Sequence, residues 1–204
     1  MGLEDEFHFA VTLAVFGDKG VGKSSLIKAM LRHRLKSTIL RYEVSGPVAY
    51  TRASFNHDGV MFLLDIVECP GEKIYRESLA KFVGCGASFC MFVYDVTEPS
   101  TLEGVSQWIE ALTPADTGLV VGNKKDMPRE NAGVTSEEAW GVASHHGLRA
   151  VEVSSATDPP DGVDEVMEMF LRKVCEKIPN PPDPSLYDFR QIIFRRFKSI
   201  FIQT

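Results

Sequence analysis

The chain has 204 residues, 44% hydrophobic and 25% charged, which suits one packed domain with an extension and excludes a largely disordered polypeptide. A formal net charge of −6 and a pI near 5.4 give no overall attraction for phosphate backbones, so nucleic acid is not an expected partner. Cys69, Cys85, Cys90 and Cys175 have neither CxxC spacing nor the density of a disulfide scaffold, no signal region opens the chain, and no apolar run approaches the roughly 18 residues that cross a bilayer, so a soluble cytoplasmic protein is expected.

From Phe9 to Phe16 the chain is apolar and β-branched or aromatic enough for a buried strand. It ends at Gly17, before a helical pattern from Lys23 to about Arg34. Strand-like runs at Val48–Asn56 and Val60–Val67 flank His57-Asp58-Gly59, where Asp-Gly predicts a hairpin. Strands at Ser88–Tyr94, Leu119–Gly122 and Ala150–Ser154 then alternate with helices near Ile74–Val83, Leu102–Leu112, Ser136–His145 and Val163–Lys177. The expected fold is α/β: one domain over residues 1–178, with about six mostly parallel strands and five helices. Residues 179–184, Pro-Asn-Pro-Pro-Asp-Pro, read as a stiff extended linker. Residues 185–204 follow as an amphipathic C-terminal helix.

Gly17-Asp18-Lys19-Gly20-Val21-Gly22-Lys23-Ser24 satisfies GxxxxGK[ST] and falls between a strand and a helix. Its glycines let backbone N–H groups converge on phosphates at a helix N-terminus, with Lys23 reaching the outer phosphates and Ser24 ligating Mg2+. Asp18, Lys19, Gly20, Val21, Gly22, Lys23, Ser24 and Ser25 are therefore the expected phosphate-binding set.

The loop alone does not choose a base. Asn123-Lys124-Lys125-Asp126 follows the strand ending at Gly122 and resembles the NKxD motif of GTP-binding proteins, in which the Asp carboxylate accepts guanine N1–H and N2–H together. Adenine lacks that donor pair, which argues against an ATP-dependent phosphotransferase. Ser154-Ser155-Ala156 is similar to the third base-contacting loop, so Asn123, Lys124, Asp126, Ser155 and Ala156 are the expected guanine readers. In order and spacing these motifs resemble the Ras superfamily from about Phe9 to Ile178. Asp65-Ile66-Val67-Glu68-Cys69-Pro70-Gly71, with Tyr75 after it, is similar to the strand and DxxG switch motif, and Tyr94-Asp95-Val96-Thr97 to the Rab-type YDVT segment. The resemblance implies bound GTP or GDP with Mg2+, and Gly71 contacting the nucleotide.

Four departures bear on mechanism. Glu68 replaces the Asp of DxxG and is one methylene longer, so its water-mediated hold on Mg2+ requires a displaced backbone or a missing water. Glu72 stands where many members have the glutamine that orients the attacking water; a carboxylate cannot donate to phosphoryl oxygens, so slow hydrolysis is expected, with Glu72 and Lys23 as the catalytic residues. Lys19 replaces a small residue and either blocks an incoming arginine finger, substitutes for one, or sits exposed without a role. Ser45 takes the place of the nucleotide-sensing threonine, which makes Ser24, Ser45 and Glu68 the expected metal ligands; the reach from Lys23 to Ser45, 22 positions, implies a longish switch loop.

That loop length, Ser45-Gly46, Trp108-Ile109-Glu110 and the lack of a prenylatable cysteine in Phe201-Ile202-Gln203-Thr204 are similar to the Rab-like subunit of intraflagellar transport, which implies a cilium or flagellum. Position six, Glu6, also argues against a myristoylated Gly2. In the tail, Leu186, Phe189, Ile193, Phe197 and Ile200 form one apolar stripe, to be buried on the chain's own domain, in a protein partner's groove, or at a membrane surface without a lipid anchor. The functional expectation is a guanine-nucleotide switch whose loops and tail meet protein partners. The alternative is a structural subunit that keeps GTP or GDP as a folding cofactor and never cycles.

Overall fold

In the computed structural model, residues 9–35, 37–45, 48–57, 60–84, 86–112, 118–129 and 133–177 are described. In chain order they form β1 (Phe9–Phe16), α1 (Lys23–Ala29) running on as a π-helical turn (Met30–Arg34), β2 (Thr38–Ser45), β3 (Val48–His57) and β4 (Val60–Glu68). A 3-10 turn (Lys73–Tyr75), α2 (Arg76–Gly84), β5 (Phe89–Asp95), α3 (Pro99–Ala111), β6 (Gly118–Asn123), α4 (Ser136–His145), β7 (Arg149–Glu152) and α5 (Val163–Lys177) follow. The linker and tail expected at 179–184 and 185–204 lie outside the described residues.

The strands make one sheet in the order β2-β3-β4-β1-β5-β6-β7, parallel from β4 through β7 and antiparallel where β3 meets β2 and β4. Strand β5 is buried at every position, as a central parallel strand covered on both faces must be. The expected hairpin is present, with His57 opposite Val60. Helix α3 begins at Pro99 rather than Leu102, because a proline in the first turn loses no needed N–H. Strand β7 stops at Glu152, and Ser154 instead bridges Asp161.

The sheet has seven strands rather than six. Thr38–Ser45, expected within a switch loop, is the edge strand β2. Its side chains are exposed or half-buried, so the sequence lacks the buried apolar run that betrayed the other strands.

Two apolar layers sandwich the sheet. One packs α1, the π-turn and α5 against Leu13, Val15, Ala53, Leu64 and Ile66; the other packs α2, α3 and α4 against Ala14, Phe16, Val67, Phe92 and Tyr94. Period-two alternation allots the layers, so Val15 and Glu68, paired across β1 and β4, share the α1 side. Asp65 faces the other way. There the Arg52 guanidinium, 4% exposed, grips its carboxylate with Nε 2.6 Å from Oδ1 and Nη2 2.5 Å from Oδ2, and the Tyr50 hydroxyl adds a third bond at 2.5 Å.

Removing one member of a buried bidentate pair strands the other's charge. Asp65→Ala is expected to cost about 3–5 kcal/mol of folding free energy in urea titration, while Tyr50→Phe costs about 1 kcal/mol.

Candidate functional site

The carboxyl ends of β1, β6 and β7 bring three loops to one edge of the sheet. Strand β1 delivers residues 17–24. Gly20 and Gly22 have φ of +84° and +93°, a region that favours residues without a Cβ. Gly22 has a second reason to be glycine, since a Cβ there would lie 2.2 Å from Asn123 Nδ2. Helix α1 follows with no side-chain N-cap and no acidic residue in its first turn, so its positive end stays open to an anion. Val21 is anchored in the core, 1% exposed, and Ser25 is exposed on α1.

Lys23 is 7% exposed, and its ammonium donates to the carbonyls of Gly17 and Asp18, each at 2.9 Å. Burial pulls its pKa below the usual lysine value; the negative charge of Glu68, with those of Asp18 and Glu72, opposes that shift without cancelling it. A cation held in a strand-to-helix loop by carbonyls alone matches an incoming polyanion. The residues present therefore fit a phosphate chain.

Asn123 joins the loops. Its Nδ2 donates to Val21 O at 3.0 Å and Gly22 O at 3.4 Å, while its Oδ1 accepts from Ser155 N–H at 3.2 Å; the side chain is 2% exposed. Beside it Lys124 takes φ +66°, and its ammonium pairs with Asp95 Oδ2 at 2.5 Å. Burial works against ionised Asp95, but bonds from Lys124 and from the Thr97 N–H and hydroxyl outweigh it and hold the carboxyl below its usual range. Asp126 and Ala156 are exposed at the same edge, whereas Ser155 is buried with its hydroxyl lacking a partner among the described residues. An unsatisfied buried hydroxyl beside the exposed Asp126 carboxylate fits a polar ring seated there.

Ser24 and Glu68 meet directly, the hydroxyl donating to Oε1 at 2.6 Å. Pairing of β1 with β4 continues unbroken through Val15 and Glu68, so the longer side chain is reached without the expected backbone displacement. With its hydrogen committed to Glu68, the Ser24 oxygen presents lone pairs to a cation. No cluster of three His, Cys, Asp or Glu exists among the described residues. One hydroxyl beside one carboxylate suits Mg2+, which keeps waters and shares phosphate oxygens. Ser45 is not brought to this pair: it ends β2, about 10 Å from β4 by two strand spacings.

Gly71 lies against the phosphate loop, where a Cβ would sit 2.1 Å from Lys19 N. Lys19 and Glu72 are both exposed, Glu72 capping the 3-10 turn. Asp18 lends the site its backbone only. Its carboxylate turns inward to Arg76 Nη2 at 2.8 Å and the Trp108 indole N–H at 3.4 Å, and sits close against Gly104. Arg76 also donates to Gln107 and lies over the Trp108 ring. Arg76, Gln107, Trp108 and Asp95 were not anticipated as site residues: Trp108 and Asp95 entered the sequence reading only as parts of family-like segments, and nothing in the spacing of Arg76, Gln107 or Trp108 joins them to residue 18.

Asn123→Ala is expected to release both loops, weaken nucleotide affinity at least tenfold in fluorescence titration and lower apo stability by about 1–3 kcal/mol. Lys23 gives a prediction with a sign. Its depressed pKa means the unfolded chain binds more protons just below the normal lysine range, so apo stability rises with pH there. Polyphosphate binding raises that pKa again, so calorimetry in buffers of different ionisation enthalpy should show proton uptake at alkaline pH, absent in Lys23→Met.

Residues 12–176 match the model of the Ras family. The chain is 30% identical over 184 residues to "Ras-related protein YPT3" of Nicotiana plumbaginifolia, covering 85% of this chain and 80% of that protein. It is 31% identical over 160 residues to "Ras-related protein RABA2a" of Arabidopsis thaliana, covering 74% and 70%. "Ras-related protein Rab11E" of Lotus japonicus is 29% identical over 184 residues, covering 85% and 80%. With residues 17–24, 123–126 and 154–156 at one edge of a seven-stranded sheet, the chain belongs to the Ras family of small GTP-binding proteins and is related to the Rab proteins.

Proposed function

We propose that this protein is a Mg2+-dependent guanine-nucleotide switch with slow intrinsic GTP hydrolysis, acting in intracellular trafficking. The observation that carries the switch is the contact of Gly71 with the Lys19 backbone, which leaves no room for a methyl group. Any change in the phosphate loop is felt at once by the segment leading into α2.

Guanine would be read by Asn123, Lys124, Asp126, Ser155 and Ala156, and phosphates by the backbone of residues 18–25 with Lys23. When bound, Mg2+ would neutralise charge on the phosphates, held by Ser24 and Glu68. Ser45 would reach that group only if the end of β2 shifted, which makes it the state-sensing residue. Glu72, exposed at the turn beside Lys19, can accept a hydrogen bond from water but cannot donate one to a phosphoryl oxygen, and its charge opposes the phosphates. Trafficking rests on the relatives' Rab character. The intraflagellar assignment is not carried forward: the stretch from Lys23 to Ser45 is α1, the π-turn and strand β2 rather than one long loop, and the relatives matched are Rab proteins.

A second reading, a non-cycling subunit that keeps its nucleotide as a folding cofactor, draws on Arg76. Its ion pair with Asp18, at 8% and 17% side-chain exposure, ties the head of α2 to the phosphate loop.

Chromatography of nucleotide released by denaturing the purified protein, with single-turnover conversion of loaded GTP, separates the readings. The switch predicts GTP or GDP in the preparation, hydrolysis over hours, and turnover about tenfold faster in Glu72→Gln. Guanine nucleotide that is never hydrolysed in either protein favours the second reading, and no guanine nucleotide at any Mg2+ concentration overturns both.

A further inference from the structure

Strand β2 carries three large exposed apolar side chains, Ile39 at 57%, Tyr42 at 64% and Val44 at 63%. Plain alternation would put Ile39 on the opposite face from Tyr42 and Val44. The register slips by one residue between Ile39 and Arg41, so Ile39 pairs with Ala53, Tyr42 with Thr51 and Val44 with Ala49. Those partners alternate along β3, and Ala53 belongs to the core layer beneath α1 and α5. The bulge thus gathers all three onto the α1 side of the sheet, at an edge no described helix covers. An exposed apolar strip on an edge strand is a surface that proteins ordinarily cover.

We propose that the covering element is the chain's own C-terminal segment, residues 185–200, laid along β2 with Leu186, Phe189, Ile193 and Phe197 facing the strip. Helix α5 lies on this same face, packed on β5 and on the turn Met30–Arg34. It leaves the nucleotide edge after Ser155 and runs back to the opposite edge, where β2 begins at Thr38. Four strand spacings separate β5 from β2, about 19 Å. The six residues 179–184, extended as polyproline, span about 19 Å. Along the strand, Ile39 to Val44 covers about 17 Å, and a helix from Leu186 to Ile200 is about 21 Å long. Direction, reach and length of the apolar stripe agree with this seat. It needs no nucleotide and stands apart from the switch reading.

The full chain tests it with p-benzoylphenylalanine in place of Val44. Docking predicts a photo-cross-link within one chain to a peptide from 178–200, with a yield that does not change on tenfold dilution. It also predicts that Phe189→Asp with Ile193→Asp abolishes the cross-link and speeds amide exchange of residues 38–45 about tenfold. A yield that falls with dilution, from a second copy on the strip, or a cross-link elsewhere overturns the proposal. So does amide exchange of β2 that the double variant leaves unchanged, as a tail seated on a membrane or another protein would.

Discussion

The carboxamide of Asn123 is the constraint on which the rest of the site depends. A single planar group, 2% exposed, donates to the carbonyls of Val21 and Gly22 and accepts from the Ser155 N–H, so three loops from β1, β6 and β7 share one rigid joint. In a buried setting each of these bonds matters mainly because its loss leaves a dry donor or acceptor. Gly22 must then be glycine both for its positive φ and for the space the Asn123 amide occupies. Residues 17–24 and the edge that carries residues 123–126 and 154–156 are thereby joined through one hydrogen-bonded side chain.

The same economy of position separates the two carboxylates of β4. Glu68 and Asp65 are three residues apart, so a strand of period two sends them to opposite faces. Glu68 meets Ser24 on the α1 side, and Asp65 is spent on Arg52 and Tyr50 on the other. A metal site built on Asp65 would require breaking a buried bidentate pair. The added methylene of Glu68 is therefore absorbed by direct contact with Ser24, without a slip of the sheet.

Most of the frame could be read from the sequence, because its strands are buried apolar runs and its loops carry residues of special geometry: Gly17 to Ser24, Asp58-Gly59, Asn123 to Asp126. Helices α4 and α5 fall where their periodicity places them. Strand β2 escaped because an exposed edge strand owes its existence to the neighbour it pairs with, and the register slip between Ile39 and Arg41 breaks the alternation by which Thr38–Ser45 would declare a face. The Asp18–Arg76–Gln107–Trp108 cluster escaped for a related reason. Its members stand 58 to 90 positions from Asp18 in Arg76 and Trp108, and only the packing of α2 on α3 brings them to the phosphate loop.

That cluster also limits what can move. Swinging α2 away from the phosphate loop would break the Arg76–Asp18 pair, the bond to Gln107 and the stacking on Trp108, and would expose Leu79 and Val83 from the core. Residues 72–74 have no such anchorage: Glu72, Lys73 and Ile74 are exposed, Ile74 at 80%, whereas Gly71 touches the loop through backbone alone and Tyr75 packs half-buried against the core layer beneath α2 and α3. A change at residues 17–24 therefore reaches α2 through the Gly71–Lys19 contact and the Arg76–Asp18 pair, and the buried pair resists displacement of the helix as a whole.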